Sequence, residues 1–161
     1  NVLFLRDYGM SLSIMENANE LFDRGYNCAQ SMLYAYGKDF FEKGAPVMKV
    51  ASAFGGGISS MGETCGAVSG SLMALGLHFG PHNADDKEQK EKLKEITGEF
   101  LTTFKERHGS LKCRDLLGAD MSTTEGAKFI RENGVIDKVC PGMIQSASEM
   151  MDAIIQKHGS K

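Results

Sequence analysis

Apolar residues recur along this chain at intervals of three and four, and no stretch alternates convincingly with the period of two that a half-buried strand requires. Met15, Ala18, Leu21 and Phe22 place one face of a first helix over residues 13–24, which Gly25 ends. Asn27 reads as the N-cap of a second helix with Cys28, Met32, Leu33 and Tyr36 facing inward, loosened at Gly37. Pro46 starts a short third helix that runs through Ala53.

A glycine-rich run, FGGGISSMG, follows, and Thr64 reads as the N-cap of a helix over residues 65–78. This helix is apolar on most sides, so it is expected to be central and buried. Gly62, Gly66, Gly70 and Ala74 fall four residues apart, giving it one stripe with almost no side chain, against which another helix can pack closely. Gly80 and Pro81 stop it. Residues 84–108 make the longest helix, with acidic residues at its start, Gly109 at its end, and Leu93, Ile96, Phe100, Leu101 and Phe104 inward. A short turn of helix follows Ser110. Thr123 or Thr124 opens another to Glu132, and the last is expected to open at Cys140 and Pro141, with Met143, Ile144, Ala147, Met150, Met151, Ile154 and Ile155 on one face.

These elements predict an all-α, single-domain bundle of about six to eight helices around a buried central helix starting at Cys65. The 161 residues, 42% hydrophobic and 24% charged, suffice for one sizeable core. Residues 13–161 read as that domain. Residues 1–12 match nothing that follows and read as an N-terminal arm, disordered or added, with Met10 a candidate natural start.

Net charge narrows the partners. At −3 there is no basic surplus, and no Lys/Arg stripe interleaves with aromatics, so nucleic acid is not expected. No apolar run reaches the ~20 residues of a membrane span, and Arg6 with Asp7 interrupts any signal-peptide core. The expected location is the cytoplasm. The small-residue stripe suits an interface as well as a core, which makes a homodimer a candidate assembly.

The candidate chemistry lies in four cysteines, Cys28, Cys65, Cys113 and Cys140. None forms a CxxC pair, which removes the main support for a zinc ribbon or a thioredoxin-type site. All four map to expected helix N-termini, where free amides and the helix dipole favour the thiolate, the nucleophilic and metal-binding form. Lys112 and Arg114 flank Cys113, and Lys138 lies near Cys140, adding positive charge. Against this stands the tendency of free cysteine to pack as a small hydrophobe.

On these residues the sequence resembles the redox-active protein family labelled C_GCAxxG_C_C, marked by four separated cysteines and a Cys-Gly-Ala-x-x-Gly motif. The motif is Cys65-Gly66-Ala67-Val68-Ser69-Gly70. Cys28 within GYNCAQSML, Cys113 within KCRDLLG and Cys140 within VCPGM match the other three positions, and the similarity runs over about residues 14–155. The resemblance implies a small helical protein with redox-active cysteines. It brings no substrate, electron partner or cofactor with it.

Other signals are weaker. The glycine-rich run lacks the GK[ST] ending of a phosphate loop and no strand precedes it, so its expected role is to bring backbone close to Cys65 or to a bound centre; Gly55, Gly56, Gly57 and Gly66 are the candidate cofactor contacts. His78 and His82 are expected in a loop, since Gly80 and Pro81 separate them. His108 and His158 sit in last turns, where an imidazolium suits the dipole. Met143, Met150 and Met151 fit a core stripe better than a copper or haem site. Glu63 and Asp115 are candidate proton acceptors for the neighbouring thiols.

Three readings of function result. In the first, Cys65 is the nucleophile, Cys28 its resolving partner, and Cys113 with Cys140 a second couple, acting on a redox partner or small-molecule oxidant by thiol–disulfide exchange or electron transfer. Spacing alone does not choose among the three possible pairings. In the second, the same four cysteines ligate an iron–sulfur cluster or zinc. In the third, the protein is structural or an interaction module, and its cysteines only pack.

Overall fold

The computed structural model describes residues 17–41 and 45–159, which form eight α-helices and two short 3-10 turns, with no strand among them. The all-α expectation holds. The helices are α1 (Ala18–Asp23), α2 (Cys28–Gly37), α3 (Ala45–Val50), α4 (Gly66–Phe79), α5 (Lys87–His108), α6 (Cys113–Leu117), α7 (Thr124–Glu132) and α8 (Val135–His158).

Local chemistry sets most boundaries. Among the described residues the first helix begins at Ala18, because Asn17 and Glu20 close a reciprocal capping box and Asn17 is itself extended; the expected start at residue 13 lies outside the described residues. Asn27 and Gln30 form the same box at the start of α2. Both side chains also reach sideways, Asn27 Nδ2 to the Ser52 carbonyl and Gln30 Nε2 to the Met48 carbonyl, fastening α3 and the turn after it to α2. That turn, Ser52–Phe54, is 3-10, so the third helix stops at Val50 instead of Ala53. Asp86 caps α5 through the Gln89 amide, Gly109 ends it at φ +83°, and Thr123 caps α7.

The last helix departs most from the sequence reading. It starts at Val135, after Gly134 at φ +58°, and Pro141 lies inside it. A proline at this point suits a helix start, yet here it merely leaves one interior carbonyl without its usual donor. Val135, Val139, Cys140, Met143 and Ile144 continue the inward stripe across it, so burial holds the first turns in helix.

α4 is the centre of the bundle, in contact with α2, α5 and α8. Its closest neighbour is α2. A Cβ at Gly70 would come within 2.6 Å of the Ala29 carbonyl oxygen, and one at Gly66 within 2.9 Å of Cys28 Cβ. The small-residue stripe thus brings the start of α4 against the start of α2. Ile96, Phe100 and Phe104 of α5 and Ile144, Ala147 and Met151 of α8 complete a fully buried core, while Leu93 and Leu101 are only partly covered. No helix among the described residues is long and apolar enough to cross a membrane.

Candidate functional site

Four separate elements deliver the cysteines to one place. Cys28 is the first residue of α2, Cys65 the N-cap of α4 and Cys113 the first residue of α6. Cys140 is in the second turn of α8 and not at a helix N-terminus, because α8 begins five residues before it. All four line a single cleft of about 540 Å³. Each is only 5–8% exposed, so the thiols form the floor of the cleft and not its rim.

The walls are largely apolar. Phe22 and Tyr26 stand on one side, Leu116 and Met121 on another, and Val139 and Met143 on the α8 side. The glycine-rich loop supplies the rest through Gly55, Gly56, Ser59 and Ser60. Gly57, also expected here, does not line the cleft. It is buried behind it, where a Cβ would meet Cys113 Cβ at 2.6 Å and the Glu63 backbone at 2.6–2.7 Å. Gly66 lines the cleft beside Cys65.

The loop has an uncommon backbone. Gly56, Gly57, Ile58, Ser59 and Ser60 all have φ between +49° and +69°, a left-handed turn that costs a residue bearing a side chain roughly 1–2 kcal/mol. The surroundings hold it there. Ser59 and Ser60 amides donate to the carbonyls of Ala53 and Gly55, and the Gly62 and Glu63 amides donate to those of Gly56 and Gly57. Arg114 adds a clamp: its guanidinium donates to the Met61 and Gly62 carbonyls and pairs with Glu63 and Asp120.

This clamp changes the expected electrostatics of Cys113. Arg114 is turned toward the loop rather than toward the thiol, and Lys112 is exposed in a β-bridge with Thr64. The first amides of α6 are also in use, since Cys113 N donates to the Glu63 carbonyl at 2.6 Å and Arg114 N to the Gly62 carbonyl at 2.9 Å. Burial pushes the Cys113 thiol up to about 12, helped by Cys65 and Cys140, with no amide or cation offsetting it. Lys138 likewise bonds the Asn133 carbonyl instead of serving Cys140.

Cys65 corrects a second expectation. The amides of Ala67 and Val68 favour the thiolate, as a helix start should arrange, although Cys65 makes no side-chain capping bond. Burial outweighs them. The thiol is pushed up to about 11, so Cys65 is a protonated, covered group at neutral pH and not an accessible thiolate.

Cys28 and Cys140 meet where α2 contacts α8, and each is the strongest influence on the other's thiol. The two titrate as an interacting pair. Cys140 is the lowered member, favoured as a thiolate by Cys28 against burial and the Asp137 carboxylate. Cys28 is raised, first by Cys140 and then by burial, with Cys65 and Cys113 acting on it more weakly.

The remaining candidates have other duties. Glu63 is paired with Arg114, and Asp115 accepts from the Ser110 hydroxyl, so neither faces a thiol as a base. His78 lies within α4 and not in a loop; its Nε2 is 2.8 Å from the Tyr36 carbonyl, and its ring meets Phe40 edge-on. His82 is exposed beyond the helix. His108 and His158 are in last turns as expected, bonded to the Ser146 hydroxyl and to Glu99. Met150 and Met151 are core residues, while Met143 borders the cleft. Sequence reasoning missed Asp137, which lies one turn before Cys140 on α8 and borders the same cleft. Extending the apolar stripe N-terminal to Pro141 would have found it.

For a single metal ion the donor chemistry is right, but the arrangement is not. Among the described residues no group of three or more His, Cys, Asp or Glu is placed so that it could hold a metal ion.

An all-α bundle with four thiols on one cleft defines a small class of helical cysteine proteins. Within it, residues 26–154 match the family described as "Putative redox-active protein (C_GCAxxG_C_C)", and the chain belongs to that family. The match spans all four cysteines and the Cys65–Gly70 motif. No curated protein and no solved structure matches the chain.

Proposed function

We propose that the protein is a dithiol–disulfide redox protein whose exchanging pair is Cys28 and Cys140. The observation that carries this reading is their place together on the floor of one cleft where α2 meets α8, each the strongest influence on the other's thiol. Cys65 and Cys113 line the same cleft as protonated thiols and form a reserve couple.

The reaction balances as follows. The Cys140 thiolate attacks one sulfur of a substrate disulfide, that S–S bond breaks, and the departing thiolate takes up a proton. The mixed disulfide on Cys140 is then attacked by Cys28, which gives up its proton as the second substrate thiol leaves. The protein gains one disulfide; the substrate disulfide is reduced to two thiols. Run in reverse, the same steps oxidise a substrate dithiol. An iron–sulfur or zinc centre on the four cysteines would draw on the same cleft, though among the described residues no group of three or more ligands is placed to hold a single metal ion.

The test is a titration of the reduced protein with one equivalent of hydroxyethyl disulfide, followed by intact mass and a thiol count. The wild type should lose two thiols and retain no adduct. Cys28→Ser should stop at one adduct, carried on Cys140. A stable adduct on the wild type, or four inert thiols, contradicts the proposal. Stoichiometric iron or zinc in anaerobically purified protein, with the thiols blocked, replaces it with the metal reading.

A further inference from the structure

If the pair exchanges disulfides, the cleft must choose among them, and its lining is electrostatically one-sided. Asp137 is the one charged residue among the described residues that border it; no Lys, Arg or His does. Its carboxylate is exposed at the mouth, one helical turn from Cys140 on the same face of α8. The other walls offer aromatic and aliphatic groups, with Ser59, Ser60 and Asn27 as neutral hydrogen-bonding groups. Of the cations beside the cysteines in sequence, Arg114 is held by the loop and Lys138 by the Asn133 carbonyl, while Lys112 is exposed and does not border the cleft.

We propose that the cleft takes neutral or cationic disulfides with apolar flanks and rejects anionic ones, and that Asp137 is the residue that sets this preference. The inference rests on the dithiol reading of the same site. An anionic disulfide brought to Cys140 must place its charge beside the Asp137 carboxylate with no cation to compensate. A cationic one pairs with that carboxylate as its sulfurs reach the thiol. A net charge of −3 on the whole chain acts in the same direction, so only a local substitution isolates the contribution of Asp137.

The experiment measures the rate of Cys28–Cys140 oxidation by cationic cystamine, neutral hydroxyethyl disulfide and anionic oxidised glutathione. Each rate is divided by that disulfide's rate with dithiothreitol, which removes differences intrinsic to the reagents. The wild type should prefer cystamine to hydroxyethyl disulfide and that to oxidised glutathione, by about threefold to tenfold per unit of charge at low salt, with the spread shrinking as salt is raised. Asp137→Asn should compress the spread, and Asp137→Lys should reverse its order. Equal rates, or a preference for glutathione, overturn the inference and leave the dithiol reading standing. A preference that survives both substitutions overturns the role of Asp137. If none of the three oxidises the pair, the dithiol reading itself falls and takes the inference with it.

Discussion

Replacing Gly70 with alanine tests the close approach of α4 to α2 on which the cleft depends. The new methyl would lie 2.6 Å from the Ala29 carbonyl oxygen, 2.9 Å from Met32 Cβ and 3.0 Å from Ala29 Cα. Two of these three atoms are backbone, so the site cannot yield by rotating a side chain. Overpacking of this kind costs about 1–3 kcal/mol. Alanine also helps the helix by about 1 kcal/mol relative to glycine, which leaves a net loss of roughly 0–2 kcal/mol. Gly76 in the same helix provides the control, since nothing lies within 4 Å of a Cβ built there. Gly76→Ala keeps only the helix gain and should stabilise by about 0.5–1 kcal/mol. The two variants should therefore differ by about 1–3 kcal/mol in urea unfolding under reducing conditions, with unchanged m-values. For a chain of this size that is roughly 2–12 °C in Tm. Equal stabilities, or Gly70→Ala above Gly76→Ala, refute the close contact and the placement of Cys28 that follows from it.

Two further outcomes follow from the site. Because burial raises Cys65 to about 11 and Cys113 to about 12, both above the ordinary thiol value of 9.0, the folded state keeps protons that the unfolded chain gives up. Their contribution is intact below about pH 9 and is lost as pH rises toward 12, so stability should fall across that window; Cys65→Ser with Cys113→Ser should flatten the fall, and an unchanged slope contradicts the burial argument. Arg114→Ala removes the clamp on the Met61 and Gly62 carbonyls and should cost about 1–3 kcal/mol while speeding alkylation of Cys113, with Arg114→Lys intermediate because an ammonium cannot reproduce the fork. Unaltered labelling in both variants argues that the left-handed loop holds itself.

How much of this was legible depended on whether the determining contacts were local. The capping residues Asn27, Asp86 and Thr123 and the terminator Gly109 sit within a turn of what they control, and each acted as its residue type suggests. The stripe of Gly66 and Gly70 also spoke correctly of a close helix neighbour. Pro141 misled because a proline in the first turn and one inside a helix are the same letter. What distinguishes them is the apolar stripe from Val135 to Ile144, held by packing against the rest of the bundle. The charges failed for a similar reason. Arg114 and Lys138 are close to cysteines in sequence, but their partners are the loop carbonyls, Glu63, Asp120 and the end of α7, which only the folded chain brings near, and Lys112 is simply exposed. The family motif located the four thiols, while the proposal of Cys28 with Cys140 rests on the meeting of α2 and α8, which the sequence does not show.

The pairing is the claim on which the rest stands. Its most direct measurement is peptide mapping by mass spectrometry after the reduced protein has been oxidised by one equivalent of a neutral disulfide and quenched in acid. The account predicts one dominant cross-linked species joining the Cys28 and Cys140 peptides, with Cys65 and Cys113 still free. A dominant Cys28–Cys65 or Cys113–Cys140 link would contradict it.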